Sequence, residues 1–401
     1  METHTPHHAQ QVLICCAIGL VCFFGAYMRI PVLPLFAATL GAGTAQVGMI
    51  NAAFMLSAGL LAIPCGLLSD RLGRRPMLLG GLLLMAVSSL LIPLSSSPLI
   101  MAAIYLLFGV GLAAFTPTMM SSIADVAPHS HLGRAYSWYT TAVYVGMTFG
   151  PAAGGLLGRA WGLGRVFLFS GALILLALLI SCIFLPKPGC RAPAGEKMTS
   201  IRGSLTRLLQ NRRLLAGLLG TIGGCFGFGM FITFLPLHAK AQGLNAGHVG
   251  IVFASQALAN ALLRIPFGRM SDRVDRGLMS TVGLCVFAVG LTSTGMFSDV
   301  VSLSLCAALL GLGMGIGFTA LGALVAEVVP QEQRGLAMGL YNSCIYLGMM
   351  FSSASMGSVI REVGFRDSFC LAGAFSLIMT FAFFLLYRSV PGCREAAKSV
   401  A

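Results

Sequence analysis

The chain has 401 residues, of which 57% are hydrophobic and only 9% charged, with a formal net charge of +13. A soluble domain carries about 25% charged residues, so a water-soluble enzyme or binding module is excluded and the chain belongs in a bilayer. The basic surplus would suit nucleic acid, but its placement along the chain assigns it to membrane topology instead.

Twelve apolar runs are long enough to cross a membrane at roughly 20 residues each. They lie at about 12–37, 46–68, 76–94, 98–124, 134–158, 165–185, 214–239, 247–268, 279–297, 302–328, 336–360 and 367–387. The first lacks the charged leader of a signal peptide and is kept as a span. It carries Arg29, about 26 Å along from Val12 at 1.5 Å per residue. Such an arginine either lines a cavity or snorkels to the outer surface. The second span carries Asn51. The fifth carries Tyr139 and Tyr144, followed by Gly146, Gly150, Pro151, Gly154 and Gly155, a smooth surface for close packing against a neighbour, the eighth span being the expected one. Residues 186–213 read as a basic linker between an N-terminal half, 1–185, and a C-terminal half, 214–401.

In the eighth span Gln256, Asn260 and Arg264 recur at i, i+4 and i+8 and share one helical face. Gln256 is about 18 Å from Gly268 along the helix, near mid-depth. Tyr341, Asn342 and Tyr346 are polar handles on the eleventh span. These residues, with Arg29, Asn51, Tyr139 and Tyr144, are the candidates for lining a substrate cavity. All twelve Asp and Glu fall in loops, tails or span ends, which disfavours a permanently cationic substrate, since that charge would lose its water unpaired.

The chain also matches itself without a gap at an offset of 202 residues. Leu61, Pro64, Gly66, Ser69, Asp70 and Arg71 meet Leu263, Pro266, Gly268, Ser271, Asp272 and Arg273. Pro128, Tyr139, Tyr144, Gly146 and Phe149 meet Pro330, Tyr341, Tyr346, Gly348 and Phe351. An even number of spans per half means that the second copy repeats the topology of the first. Parallel repeats of this kind are a transporter architecture. With both termini inside, 18 of the 25 Lys and Arg fall on the cytoplasmic side, the bias expected of the positive-inside rule.

The run Gly66-Leu67-Leu68-Ser69-Asp70-Arg71-Leu72-Gly73-Arg74-Arg75 resembles the signature loop of the major facilitator superfamily. A decayed copy follows the eighth span, with Gly268, Asp272 and Arg273 retained and Asp275 in place of Gly73. Its arginines are suited to a carboxylate on another span; Asp125, at the end of the fourth, is the partner expected for Arg74, and Glu327 holds the same place in the second half. The fifth-span glycines resemble the motif of the drug:proton antiporter branch of that superfamily. Many members of that branch carry an arginine on the fourth span, a turn before paired glycines, as part of proton coupling. Here that position is Tyr105, a departure that leaves the usual basic group missing.

The resemblance covers residues 11–390. It implies an all-α membrane protein of twelve helices in two six-helix bundles, multi-pass in a plasma membrane, most simply a bacterial inner membrane. It implies a monomeric exporter of small molecules, working by alternating access in exchange for protons. Neutral or anionic substrates are expected over cations, and no cofactor, metal or nucleic acid. A uniporter or symporter importing an organic anion is the alternative, and a non-transporting receptor a more distant one. An intramembrane enzyme would need convergent nucleophile, base or metal ligands; the sequence has no H-E-x-x-H and no paired Asp within a span.

Overall fold

A computed structural model describes residues 6–127, 131–185, 208–271, 274–330 and 333–389. The described residues form long helices joined by tight turns. The spans are Pro6–Met28 continued by Val32–Thr39, Thr44–Leu72, Arg74–Leu91, Pro98–Val126, Leu132–Trp161, Leu163–Phe184, Arg212–Ala241, Ala246–Ser271, Arg276–Thr294, Val300–Glu327 and Arg334–Arg388. The last is two spans, eleven and twelve, separated by Gly364 at φ 81°. Ten of these helices are long and apolar enough to cross a membrane. The division within Arg334–Arg388 adds one, and the fifth helix, more polar with Arg134, Ser137, Thr140 and Thr141, completes the twelve.

The turns are where the repeat is most literal. Gly41 and Gly243 have φ of 80° and 78°, and Gly162 and Gly364 have 93° and 81°. Each pair is related by the 202-residue offset, and each site requires the left-handed backbone that glycine alone adopts freely. The fourth span is capped by Ser97, whose hydroxyl accepts from the Ile100 amide at 3.3 Å. Its counterpart Asp299 caps the tenth, accepting from the Ser302 amide at 2.9 Å. That amide holds the Asp299 carboxyl below the usual carboxylate range, so the cap stays charged at the positive end of the helix dipole.

The two copies differ in the first span of each half. Residues 29–31 interrupt the first span, whereas the seventh runs unbroken from Arg212 to Ala241. Pro31 has no N–H to donate and its ring would clash with the Tyr27 carbonyl in a continuous helix. The seventh span has Thr233 in that register. The chain re-enters a helix by donating the Val32 and Leu33 amides to the Arg29 carbonyl at 3.0 and 2.8 Å.

Within the first half, span one packs on five and six, two on four, and three on four and six; the second half repeats the pattern. Buried phenylalanines fill the halves, among them Phe115 and Phe167 in the first and Phe231, Phe287, Phe369 and Phe383 in the second. Between halves, span two lies along span eleven and span five along span eight.

Candidate transport site

The centre of the molecule, where the halves meet, is aromatic. Phe54 of span two stacks on Tyr105 of span four with centroids 4.9 Å apart, and meets Tyr346 of span eleven edge-on at 6.3 Å. Tyr105 in turn stacks on Phe108 at 5.9 Å. Tyr27, half-buried, lies within electrostatic reach of Tyr105, Tyr144 and Tyr346, so phenols from spans one, four, five and eleven share this region. On the C-terminal side the Gln256 amide donates to the Met314 sulfur at 3.3 Å, and Phe253 meets Phe231 at 5.2 Å. Met55 and Met349 pack together across the halves. Rings with polar tips and flexible thioethers are side chains whose packing adapts readily.

Arg29 neither lines an open cavity nor snorkels. It is 1% exposed, enclosed within the N-terminal half. One terminal nitrogen donates to the Ser89 hydroxyl at 3.0 Å. The guanidinium carbon sits 3.3 Å from the Phe108 ring centroid and 5.0 Å from that of Tyr105, a cation–π arrangement. The cation that sequence comparison leaves missing from the fourth span thus arrives beside Tyr105 from the first.

The other candidates divide. Tyr144 and Tyr346 share the central cluster with Tyr27, which was not among the candidates. Tyr139 is buried against Gly19 of span one, and its counterpart Tyr341 donates to the Phe318 carbonyl at 3.3 Å. Asn51 and Asn342 turn back onto their own helices, to the Val47 carbonyl at 3.4 Å and the Met338 carbonyl at 3.0 Å, and Asn342 is exposed. Asn260 lies against Gly315 of span ten. Asp272 and Arg273 lie outside the described residues, as do Arg264 and Gly268 beyond their helical backbone.

The fifth-span glycines require a correction: most of them face the first span, not the eighth. A Cβ on Gly146 would lie 2.8 Å from the Leu20 carbonyl, and one on Gly150 2.8 Å from that of Phe24; on Gly154 it would strike the Met28 carbonyl. Gly155 alone of the glycines turns to the eighth, where a Cβ would lie 2.5 Å from the Ala246 carbonyl and 2.7 Å from Gly250 Cα. Pro151 contributes its carbonyl, 3.0 Å from a Cβ on Gly250. The same contact recurs at the repeat-related place: a Cβ on Gly357 would lie 2.6 Å from the Thr44 carbonyl, and one on Gly48 would strike the Ser353 carbonyl. The Thr44 hydroxyl donates to the Gly357 carbonyl at 2.7 Å. Two copies of one backbone-to-backbone contact therefore join the halves at the end carrying the Gly41 and Gly162 turns.

At the opposite end, Arg74 donates to the Asp125 carboxylate at 3.2 Å, to Asp70 and to the Ser69 hydroxyl at 2.6 Å. Arg276 donates to Glu327 at 2.6 Å, the same pair displaced by one repeat. Spans two, three and four belong to one half, so this network, Asp125 included, lies within that half, and Asp70 folds back on Arg74. Arg71 is exposed. Arg75 ties the loop to span six through the Cys182 carbonyl at 2.6 Å.

The sequence pattern of the Major Facilitator Superfamily matches residues 15–254 and 217–400. The chain belongs to that superfamily. Among its relatives, a multi-drug resistance efflux pump homologue of Lactococcus lactis is 25% identical over 384 residues, covering 92% of this chain and 93% of the relative. An uncharacterized MFS-type transporter of Methanocaldococcus jannaschii is 26% identical over 357 residues, covering 87% and 91%. A solved bacterial homologue of the human lysosomal transporter Spinster has a TM-score of 0.77 at 18% identity, covering 96% of this chain and 98% of that one. The fold is the twelve-helix facilitator fold and the protein is a multi-pass membrane transporter, not an enzyme.

Sequence reasoning on this facilitator missed Tyr27, Phe54 and Gly357. Gly357 is found by adding the repeat offset to Gly155, and Tyr27 lies two residues before the helix break that begins at Arg29. The turn between spans two and three shows how the copies diverged. Gly73 sits at φ 95°, whereas Asp275 takes an ordinary backbone and caps span nine through its carboxylate, which accepts from the Leu278 amide at 2.8 Å. Gly73→Ala should therefore cost about 1–3 kcal/mol in backbone strain and Asp275→Ala about 0.5–2 kcal/mol through the lost cap. Both should appear as lowered melting temperatures of the purified protein.

Proposed function

We propose that this transporter exports small neutral or anionic molecules across a bacterial plasma membrane by alternating access, in exchange for protons. Residues 1–185 and 214–401 are the two bundles that rock, 186–213 is their cytoplasmic linker, both termini are cytoplasmic, and the working unit is a monomer. The observation that carries this reading is the doubled glycine contact on one side of the aromatic centre. It closes the far end, while Arg74 and Arg276 pair with carboxylates of their own halves at the other. The positive-inside bias puts the closed end outside. The multidrug efflux naming of relatives supports the outward direction. Gly66, Asp70, Arg71, Gly73, Arg74 and Asp125, with Gly268, Asp272 and Arg273, act as the conformational switch, and Gly146, Gly150, Pro151, Gly154 and Gly155 as its packing surface.

The test is purified protein in proteoliposomes with an imposed pH gradient and a panel of neutral, anionic and cationic compounds. Flux of neutral or anionic compounds should rise when protons can run the opposite way. Flux indifferent to the gradient defeats the exchange, and efficient transport of a quaternary ammonium dye defeats the charge preference. A second reading, a uniporter or symporter importing an organic anion, is favoured by Arg29, a buried cation; flux driven inward by substrate alone would establish it.

A further inference from the structure

Arg29 has no structural reason to be charged. Its repeat counterpart is Phe231, fully buried and packed on Phe253, so the fold fills this position equally well with a hydrocarbon. Ser89 and Tyr105, which face Arg29, correspond to Leu291 and Ala307, both also fully buried. One half thus carries a buried polar cluster where the other carries a plain apolar core. An unpaired guanidinium at membrane depth is expensive to keep. The groups acting on it electrostatically are Tyr105 and Cys22, a phenol and a thiol that are neutral at pH 7. Its Nε is buried and has no hydrogen-bond partner, a donor left over in a planar fork whose geometry fits a carboxylate. This cluster is one ring away from the centre, because Tyr105 lies between Arg29 and Phe54, which faces Tyr346 of the other half.

We propose that Arg29 is the counter-ion for a carboxylate-bearing aromatic substrate, and that the Tyr105, Phe54 and Tyr346 rings hold the substrate's ring. This rests on the reading of the chain as a transporter with its path between the halves, and it narrows neutral-or-anionic to aryl carboxylates. Tyr105 gives way at the guanidinium, and the carboxylate takes the free Nε–H. Ser89 keeps the terminal nitrogen in place, so the arginine need not move.

The experiment is equilibrium binding to the purified full-length protein in detergent, with radiolabelled 1-naphthoate as probe and 1-naphthamide and 1-naphthylmethylammonium as competitors. Wild-type protein should prefer naphthoate to naphthamide by about tenfold or more, the worth of a charged hydrogen bond. Arg29→Phe, which copies the other half, should erase that preference while leaving naphthamide binding in place. Arg29→Lys should keep part of it. An unchanged preference in Arg29→Phe, equal loss of both probes in a variant that melts as wild type does, stronger binding of the ammonium compound, or no naphthoate binding at millimolar concentration overturns the proposal. Should Arg29→Phe fail to fold, Arg29→Gln carries the same comparison. Binding needs no gradient, so Arg29-dependent naphthoate binding without pH-driven flux defeats only the proton exchange. Conversely, pH-driven flux of neutral compounds without naphthoate binding defeats only this inference.

Discussion

Gly155→Leu is expected to cut exchange below a tenth of wild type while leaving the protein folded and inserted. The added Cβ would stand 2.5 Å from the Ala246 carbonyl and 2.7 Å from Gly250 Cα, and backbone cannot yield as a flexible side chain does. Overpacking of this kind costs about 1–3 kcal/mol. Since both obstructed groups belong to the other half, that cost falls on one arrangement of the halves and not on the fold of either. A shift of about 1.4 kcal/mol already changes a two-state ratio tenfold, so the far end should spend most of its time open. Hydrogen exchange at the start of the eighth span should rise with the loss of flux. Gly154→Leu is the control: its clash is with Met28 inside one half, so it should lower the melting temperature more than Gly155→Leu does. Wild-type exchange by Gly155→Leu would remove this contact from the mechanism.

Arg74→Ala should be nearly as damaging, for a different reason. One guanidinium holds the Ser69 hydroxyl, Asp70 and Asp125, binding the turn between spans two and three to the end of span four. Its side chain is 26% exposed and that of Asp125 24%, so water screens the pair and the stability loss should stay near 0–1 kcal/mol. What is lost is the alignment of three helix ends and the neutralisation of two neighbouring carboxylates. Flux should fall by about tenfold or more with the melting temperature little changed, and Asp125→Asn should do the same. Arg276→Ala should be milder, because its partner Glu327 is 62% exposed and free to find water. Undiminished flux in both Arg74→Ala and Asp125→Asn would reduce the network to topology.

The legible part of this molecule is what depends on length, hydropathy and self-similarity. Twelve spans and their division by the repeat follow from apolar runs that have no other solution in a bilayer. Which neighbour a helix face meets is another matter. Gly146, Gly150 and Gly154 lie four residues apart and so share a stripe. Gly155, one residue on, is turned about 100° and meets a different helix. The spacing contains that division, but nothing in it names the first span as the partner of one stripe and the eighth as partner of the other. Arg29 shows a second limit. A lone arginine in an apolar run carries no record of the ring that will cover it, and Phe108 lies 79 positions further along the chain. The helix break at 29–31 falls at Pro31 inside a run read from hydropathy as one span, 12–37. Pro64, Pro117 and Pro151 nonetheless sit inside continuous helices, so a proline alone did not decide it.

The doubled glycine contact has the symmetry of a homodimer joint. Thr44 and Gly48 of the first half meet Ser353 and Gly357 of the second, while Pro151 and Gly155 of the first meet Ala246 and Gly250. Each half thus carries both faces of the joint, one on its second helix and one on its fifth. Surfaces that are complementary to themselves in this way are isologous, the kind by which identical subunits pair about a twofold axis. A six-helix chain with this sequence plan, half the present length, would carry both surfaces needed to build the same closure by dimerising. With both copies in one chain, each can differ alone, so that one half carries a buried arginine where the other has phenylalanine.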